Sequence, residues 1–127
     1  MKFEVKSEIL GFENIKEVEL KEIDELFFTL RSVTGDGISF TLVNPHKLRD
    51  YNFDISVESE AVLDIKDEKD LFVYNVIVLQ SPIDETKINF LAPLIFNKTN
   101  MTVMQEILDP QKYPDFGLAE SLKTFIA

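Results

Sequence analysis

The chain has 127 residues, with 23 acidic against 13 basic side chains and a formal charge of −10. That length fits one domain spanning residues 1–127, long enough to bury roughly two thirds of the unfolded surface. The acidic balance argues against direct nucleic-acid binding and against an anionic membrane surface, because both need Lys and Arg, and it favours a basic partner. The absence of Cys excludes disulfides, thiolate metal sites and a thiol nucleophile.

In chain order, residues 3–6 alternate like a strand, with no long apolar signal region at the start of the sequence. Gly11, between Leu10 and Phe12, supplies a permissive turn. Lys16 to Leu20 alternates as a half-buried strand, Ile23-Asp24-Glu25 interrupts it, and Leu26 to Ser32 reads as the next strand because Phe-Phe-Thr-Leu is rich in β-formers. Thr34-Gly35-Asp36-Gly37 predicts a hairpin turn into a strand over Ile38 to Val43, which Asn44-Pro45 stops. Pro45 to Asp50 fits one helical turn, and Phe53 to Val57 alternates as a further strand. A helix is predicted over Ser59 to Ile65, with Ala61, Val62 and Ile65 on one face and Ser56 or Ser59 as its cap.

The stretch from Leu71 to Asn97 organises the rest. Leu71 to Leu79 is a β-branched and aromatic run with both faces apolar, so a strand covered on both sides is expected. A turn over Ser81 to Thr86 leads to Ile88 to Ala92, and Leu94 to Phe96 resumes that run after Pro93. Proline lacks the N–H of a central ladder, so Pro93 marks a bulge, corner or edge. Met101 to Leu108 reads as one more strand, with a short helix as the alternative. Leu118, Leu122 and Phe125 predict a short amphipathic C-terminal helix. The sum is a mainly β chain: a compact antiparallel β-barrel-like domain with one or two short helices, an open sandwich being the competing arrangement.

The residues offer little for catalysis. His46 is the only His and sits beside Pro45 in a turn, where a solvated side chain is the simpler reading than a triad member. Asp64 to Asp70 is rich in carboxylates, but Lys66 and Lys69 interrupt it and the central Gly of a calcium loop is missing. Asp84 and Glu85 are adjacent on a turn, where side chains diverge, which argues against a paired-carboxylate hydrolase. No apolar run reaches the length of a membrane span. No enzymatic activity, cofactor or metal is expected. The aromatic residues Tyr51, Phe53, Tyr113 and Phe116 fall in polar segments, where such residues are more often core or loop anchors, with anchoring of a partner as the alternative. A small-molecule site in a barrel mouth is the alternative for so Phe-rich a chain.

Several segments are similar to the flagellar assembly factor FliW family: residues 9–13 (ILGFE), 23–32 (IDELFFTLRS), 40–45 (FTLVNP), 50–55 (DYNFDI) and 89–97 (NFLAPLIFN), followed by 105–108 and Tyr113-Pro114. Their order runs along nearly the whole chain. The resemblance implies a β-barrel-like fold without catalysis, and a cytoplasmic protein that binds flagellin. It also implies binding to CsrA, a small RNA-binding repressor of flagellin translation, with a mainly allosteric effect on RNA binding. Flagellin in excess would occupy the protein and leave CsrA free to repress; flagellin export would release the protein to bind CsrA. On this reading Asp54, Glu58, Asp64, Asp67, Glu68 and Asp70 are candidates for contact with CsrA. Tyr51 and Phe53 are candidates for an apolar surface that receives flagellin.

Overall fold

Alternation becomes strand through the first third of the chain. In the computed structural model, which describes residues 1–10, 13–34, 37–78 and 80–126, β1 (Lys2–Val5), β2 (Glu17–Glu22), β3 (Phe27–Ser32) and β4 (Ser39–Val43) form an antiparallel meander. Phe3 faces Val18, Leu20 faces Leu30, and Leu30 faces Phe40. The Gly11 turn, the Gly35-Asp36 tip and the end of the apolar run at Leu79 lie outside the described residues, and so does the Asp84 side chain. At the near side of the hairpin Gly37 has φ +81°, which a side chain would strain.

The second half supplies β5 (Leu71–Val78), β6 (Lys87–Ile88), β7 (Leu94–Asn97), β8 (Thr102–Gln105) and β9 (Glu120–Ser121). Leu42 of β4 pairs with Val76 of β5, and Glu4 of β1 pairs with Thr102 of β8. These two contacts close the ring β4-β3-β2-β1-β8-β7-β5 into a seven-strand barrel. The mainly β barrel expected from the sequence is therefore the fold. Among the described residues every strand pair is antiparallel except β1 with β8, a parallel seam between residues about a hundred positions apart.

The lumen is packed with side chains. Phe3, Val18, Leu20, Leu30, Leu42, Leu94, Phe96 and Val103 form one buried cluster, with Phe3 and Phe96 edge to face at 5.0 Å between centroids. Full burial of side chains this size contributes about 1.5–3 kcal/mol each.

β5 pairs with β4, β6 and β7, so the stretch read as the organiser does join the two halves. Its coverage is less complete than expected. Phe72, Tyr74 and Val76 pack on the lumen cluster and Val73 and Ile77 on a second cluster, yet Leu71 to Tyr74 stay half-buried. That end of the strand separates two surface openings, so neither face is sealed. The Pro93 break is observed. Ile88 pairs with Ile77, Leu94 pairs with Tyr74, and residues 89–93 leave the ladder between them. The Pro93 carbonyl instead accepts from the Glu106 N–H at 2.9 Å.

Three local expectations are corrected. Phe53 to Val57 forms no strand: residues 50–56 run without regular structure and Val57 starts α1 (Val57–Leu63). The Phe53/Ile55 alternation instead anchors a coil, both side chains packing on the cluster of Leu63, Ile95 and Met104. In α1 the buried residues are Ser59 and Leu63, four apart, while Ala61 and Val62 face outward. Ser56 is the cap, its hydroxyl accepting from the Ser59 N–H at 3.1 Å. The C-terminal helix does not form. Glu120–Ser121 adds β9 to β6, a 3-10 turn covers Leu122–Thr124, and Leu118 is exposed. Leu122 and Phe125 still reach the second cluster.

Candidate partner-binding groove

Outside the barrel, the coil over residues 51–55 runs past the beginning of β5 and encloses a groove of about 470 Å³. Phe53, Ile55, Leu71 and Val73 make its apolar surface, and Asp54, Glu60 and Glu68 place carboxylates around it. His46 closes one side, its ring edge-on to Tyr51 at 6.2 Å. Among the described residues no Lys or Arg lines this groove.

Tyr51 holds the coil to the barrel. Its hydroxyl donates to the Phe90 carbonyl at 2.5 Å and accepts from the Asn75 amide at 3.1 Å. Its ring touches Phe53, Phe90 and Phe116, with centroids 5.6, 5.5 and 4.7 Å away. Only 2 % of Tyr51 is exposed, and burial pushes its phenol pKa well above the ordinary value. The exposed surface position expected for Tyr51 is thus corrected: a phenol that finds a buried acceptor beneath the coil is a strut. Phe53 is half-buried against it and keeps part of its ring in the groove.

Two sets of contacts missed by sequence reasoning tie together the segments around the groove. Glu106, nearly buried, accepts from the Ser56 N–H at 3.2 Å and from the Ser56 and Ser59 hydroxyls. It ties the start of α1, and so Glu60, to the end of β8. Its signal was an acid in phase with the buried Thr102 and Met104. Arg49 stacks its guanidinium on Phe90, Phe116 and Phe125 at 5.1, 5.0 and 5.6 Å and pairs with Glu120 at 3.3 Å. That clamp holds the C-terminal segment beside the groove, and no local pattern in the sequence announces it.

The predicted carboxylates scatter in role. Asp54 and Glu68 line the groove together with Tyr51 and Phe53. Asp54 also faces Lys112 at 3.3 Å, a hydrogen bond that raises the lysine pKa, and its N–H donates to the Tyr113 hydroxyl at 2.8 Å. Glu58 is exposed on the first turn of α1. Asp64, at φ 50°, ends that helix and pairs with Lys66 at 3.0 Å. Asp67 caps the turn Glu68–Asp70 through the Lys69 N–H at 2.9 Å. Asp70 accepts from the Thr99 hydroxyl at 2.5 Å and lies at the barrel mouth rather than in the groove.

An apolar floor with carboxylates around it matches an amphipathic segment carrying basic residues. Among the described residues no group of three His, Asp or Glu is arranged to hold a metal ion, and no helix is long and apolar enough to cross a membrane.

The model of the FliW protein family matches residues 1–116, which contain the whole groove. The chain belongs to the FliW family. Flagellar assembly factor FliW 1 of Wolinella succinogenes is 45 % identical over 126 residues, covering 99 % of this chain and 98 % of the relative. FliW 2 of the same organism is 44 % identical over 125 residues, covering 98 % and 92 %. Flagellar assembly factor FliW of Sulfurimonas denitrificans is 38 % identical over 126 residues, covering 99 % and 98 %. These FliW relatives carry the name of an assembly factor rather than of an enzyme. A crystal structure of the flagellar assembly factor FliW superposes with a TM-score of 0.85 over 95 % of this chain and 84 % of its own, at 24 % identity, a likeness of fold.

Proposed function

We propose that this protein is a non-enzymatic flagellar assembly factor of the cytoplasm that holds flagellin as a chaperone and binds CsrA to relieve repression of flagellin translation. The observation that carries the reading is the groove, in which the apolar residues assigned to flagellin and two of the carboxylates assigned to CsrA line one opening. Phe53, Ile55, Leu71 and Val73 receive the apolar face of flagellin. Asp54 and Glu68, with Glu60 added by the geometry, meet basic groups of CsrA. Glu58, Asp64, Asp67 and Asp70 lie outside the groove and act by steering. Tyr51 serves as the strut that positions Phe53.

Overlapping footprints give the switch its physics, because two ligands that need one groove draw on one pool of protein. The test is capture of partners by the tagged protein from a flagellated host, compared with the Phe53→Ala and Asp54→Lys/Glu68→Lys variants. Flagellin and CsrA should be recovered in separate complexes, flagellin reduced by the first variant and CsrA by the second. Recovery of both partners at wild-type levels with both variants would remove the groove from the account.

A further inference from the structure

A second opening, of about 420 Å³, lies at the end of the barrel where β5 begins. Its floor is aromatic. Phe28 and Tyr74 stack at 4.1 Å between centroids, Phe72 lies 5.2 Å from Tyr74, and Phe72 stacks in turn on Phe96 at 4.8 Å. Beneath them Phe3, Leu30 and Phe96 are fully buried, so a guest stops at the mouth. One wall carries Lys69 and Lys98, and the Lys98 ammonium sits 5.5 Å from the Phe72 ring centroid. Among the described residues neither lysine has a carboxylate within ion-pair distance. Of the two acids at the mouth, Asp70 already accepts the Thr99 hydroxyl, and Glu22 stands on the β2 side, paired with Phe28 across the ladder.

We propose that the barrel mouth binds a small aromatic anion, its ring against Phe72 and Tyr74 and its carboxylate or phosphate facing Lys69 and Lys98. A flat ring is the guest that these half-buried aromatics accept by edge contact, since Phe72 is already stacked on Phe96 beneath Lys98 and Tyr74 on Phe28. A negative group complements two lysines that have no acidic partner, whereas a cation would meet Lys98 over Phe72. The volume falls near the lower end of small-molecule sites, about 300–1,000 Å³, which limits the guest to one or two rings. This site shares only Leu71 with the groove, and of the carboxylates proposed for CsrA only Asp70 stands at its rim.

Indole-3-acetate is a usable probe because the chain has no Trp, so indole emission reports the ligand alone. Titration followed by amide chemical shifts should move Glu22, Phe28, Lys69, Phe72, Tyr74 and Lys98 along one saturating curve. The neutral analogue 3-methylindole should bind several-fold more weakly. The Lys69→Glu/Lys98→Glu variant should lose roughly tenfold in affinity, reversing two exposed charge contacts, while Glu85→Gln, at an exposed position outside both openings, leaves it unchanged. If the double variant fails to fold, Lys98→Gln carries the test with a loss of roughly threefold. Adenosine monophosphate in place of the indole acid separates phosphate from carboxylate as the preferred anion. Shifts that are absent or centred elsewhere, equal binding of 3-methylindole, or unchanged affinity in the lysine variants would overturn the proposal.

Discussion

Replacing Tyr51 by Phe tests the role of the strut with one atom. The ring and its contacts with Phe53, Phe90 and Phe116 remain, but the Phe90 carbonyl loses its donor and the Asn75 amide loses one of two acceptors. Phe90 and Asn75 are fully buried, so water does not replace the lost hydroxyl. Leaving a buried carbonyl unsatisfied costs roughly 1–3 kcal/mol. For a domain of this size that is a fall in Tm of roughly 3–5 °C per kcal/mol, so about 3–15 °C. Urea unfolding followed by far-ultraviolet circular dichroism measures it, with the midpoint lowered and the slope unchanged. Coupling gives a second check: Tyr51→Phe and Asn75→Ala should be non-additive by roughly 0.5 kcal/mol or more, since the two side chains share a hydrogen bond. A Tyr51→Phe midpoint equal to wild type would refute the reasoning, because an exposed contact tyrosine behaves that way.

Alkaline titration follows from the same burial. The folded Tyr51 pKa lies above the unfolded value of 10.0, so between the two the unfolded chain has released a proton that the folded chain keeps. Stability is therefore full below pH 10 and falls above it, at up to about 1.4 kcal/mol per pH unit for this group, and Tyr51→Phe should flatten the fall. Tyr74, raised by burial and then by Glu22, leaves a residual slope in that variant. In α1, Leu63→Ala should cost roughly 2–5 kcal/mol and Val62→Ala less than about 0.5, which checks the observed buried face by the same urea assay. Ser56→Ala should cost roughly 1 kcal/mol as a lost cap, with hydrogen exchange rising in α1 before the barrel.

Strands whose alternation meets a neighbour on each side were readable from the residues: β1 to β4 appear within one or two positions of their expected bounds. Closure was not, because the β1–β8 seam joins Glu4 to Thr102 and no local pattern records a pairing at that separation. Alternation misled at Phe53 to Val57. A coil that pins every second side chain to a core reads like a strand, and only the absence of a ladder partner tells them apart. Helical spacing misled at Leu118, Leu122 and Phe125, where two of the three residues are anchored by tertiary packing and the segment is too short to nucleate a helix alone. Of the candidate site, Phe53, Asp54 and Glu68 fell on the groove, while Tyr51 fell beneath it. A tyrosine in a polar segment looks the same from the sequence whether its hydroxyl meets water or the Phe90 carbonyl. Glu106 and Arg49 act through contacts with distant segments, and Glu60 reaches the groove through the helix that Glu106 ties down, none of which sequence spacing displays.

The central proposal is that one groove serves both partners in turn, and the measurement that tests it most directly is CsrA affinity in the presence of saturating flagellin. Isothermal titration of CsrA into the free protein and into its flagellin complex gives the comparison. The account predicts that flagellin removes detectable CsrA binding and that Asp54→Lys/Glu68→Lys weakens CsrA binding to the free protein in a salt-dependent way. CsrA binding to the flagellin complex with undiminished affinity would contradict it and place the two partners on separate surfaces.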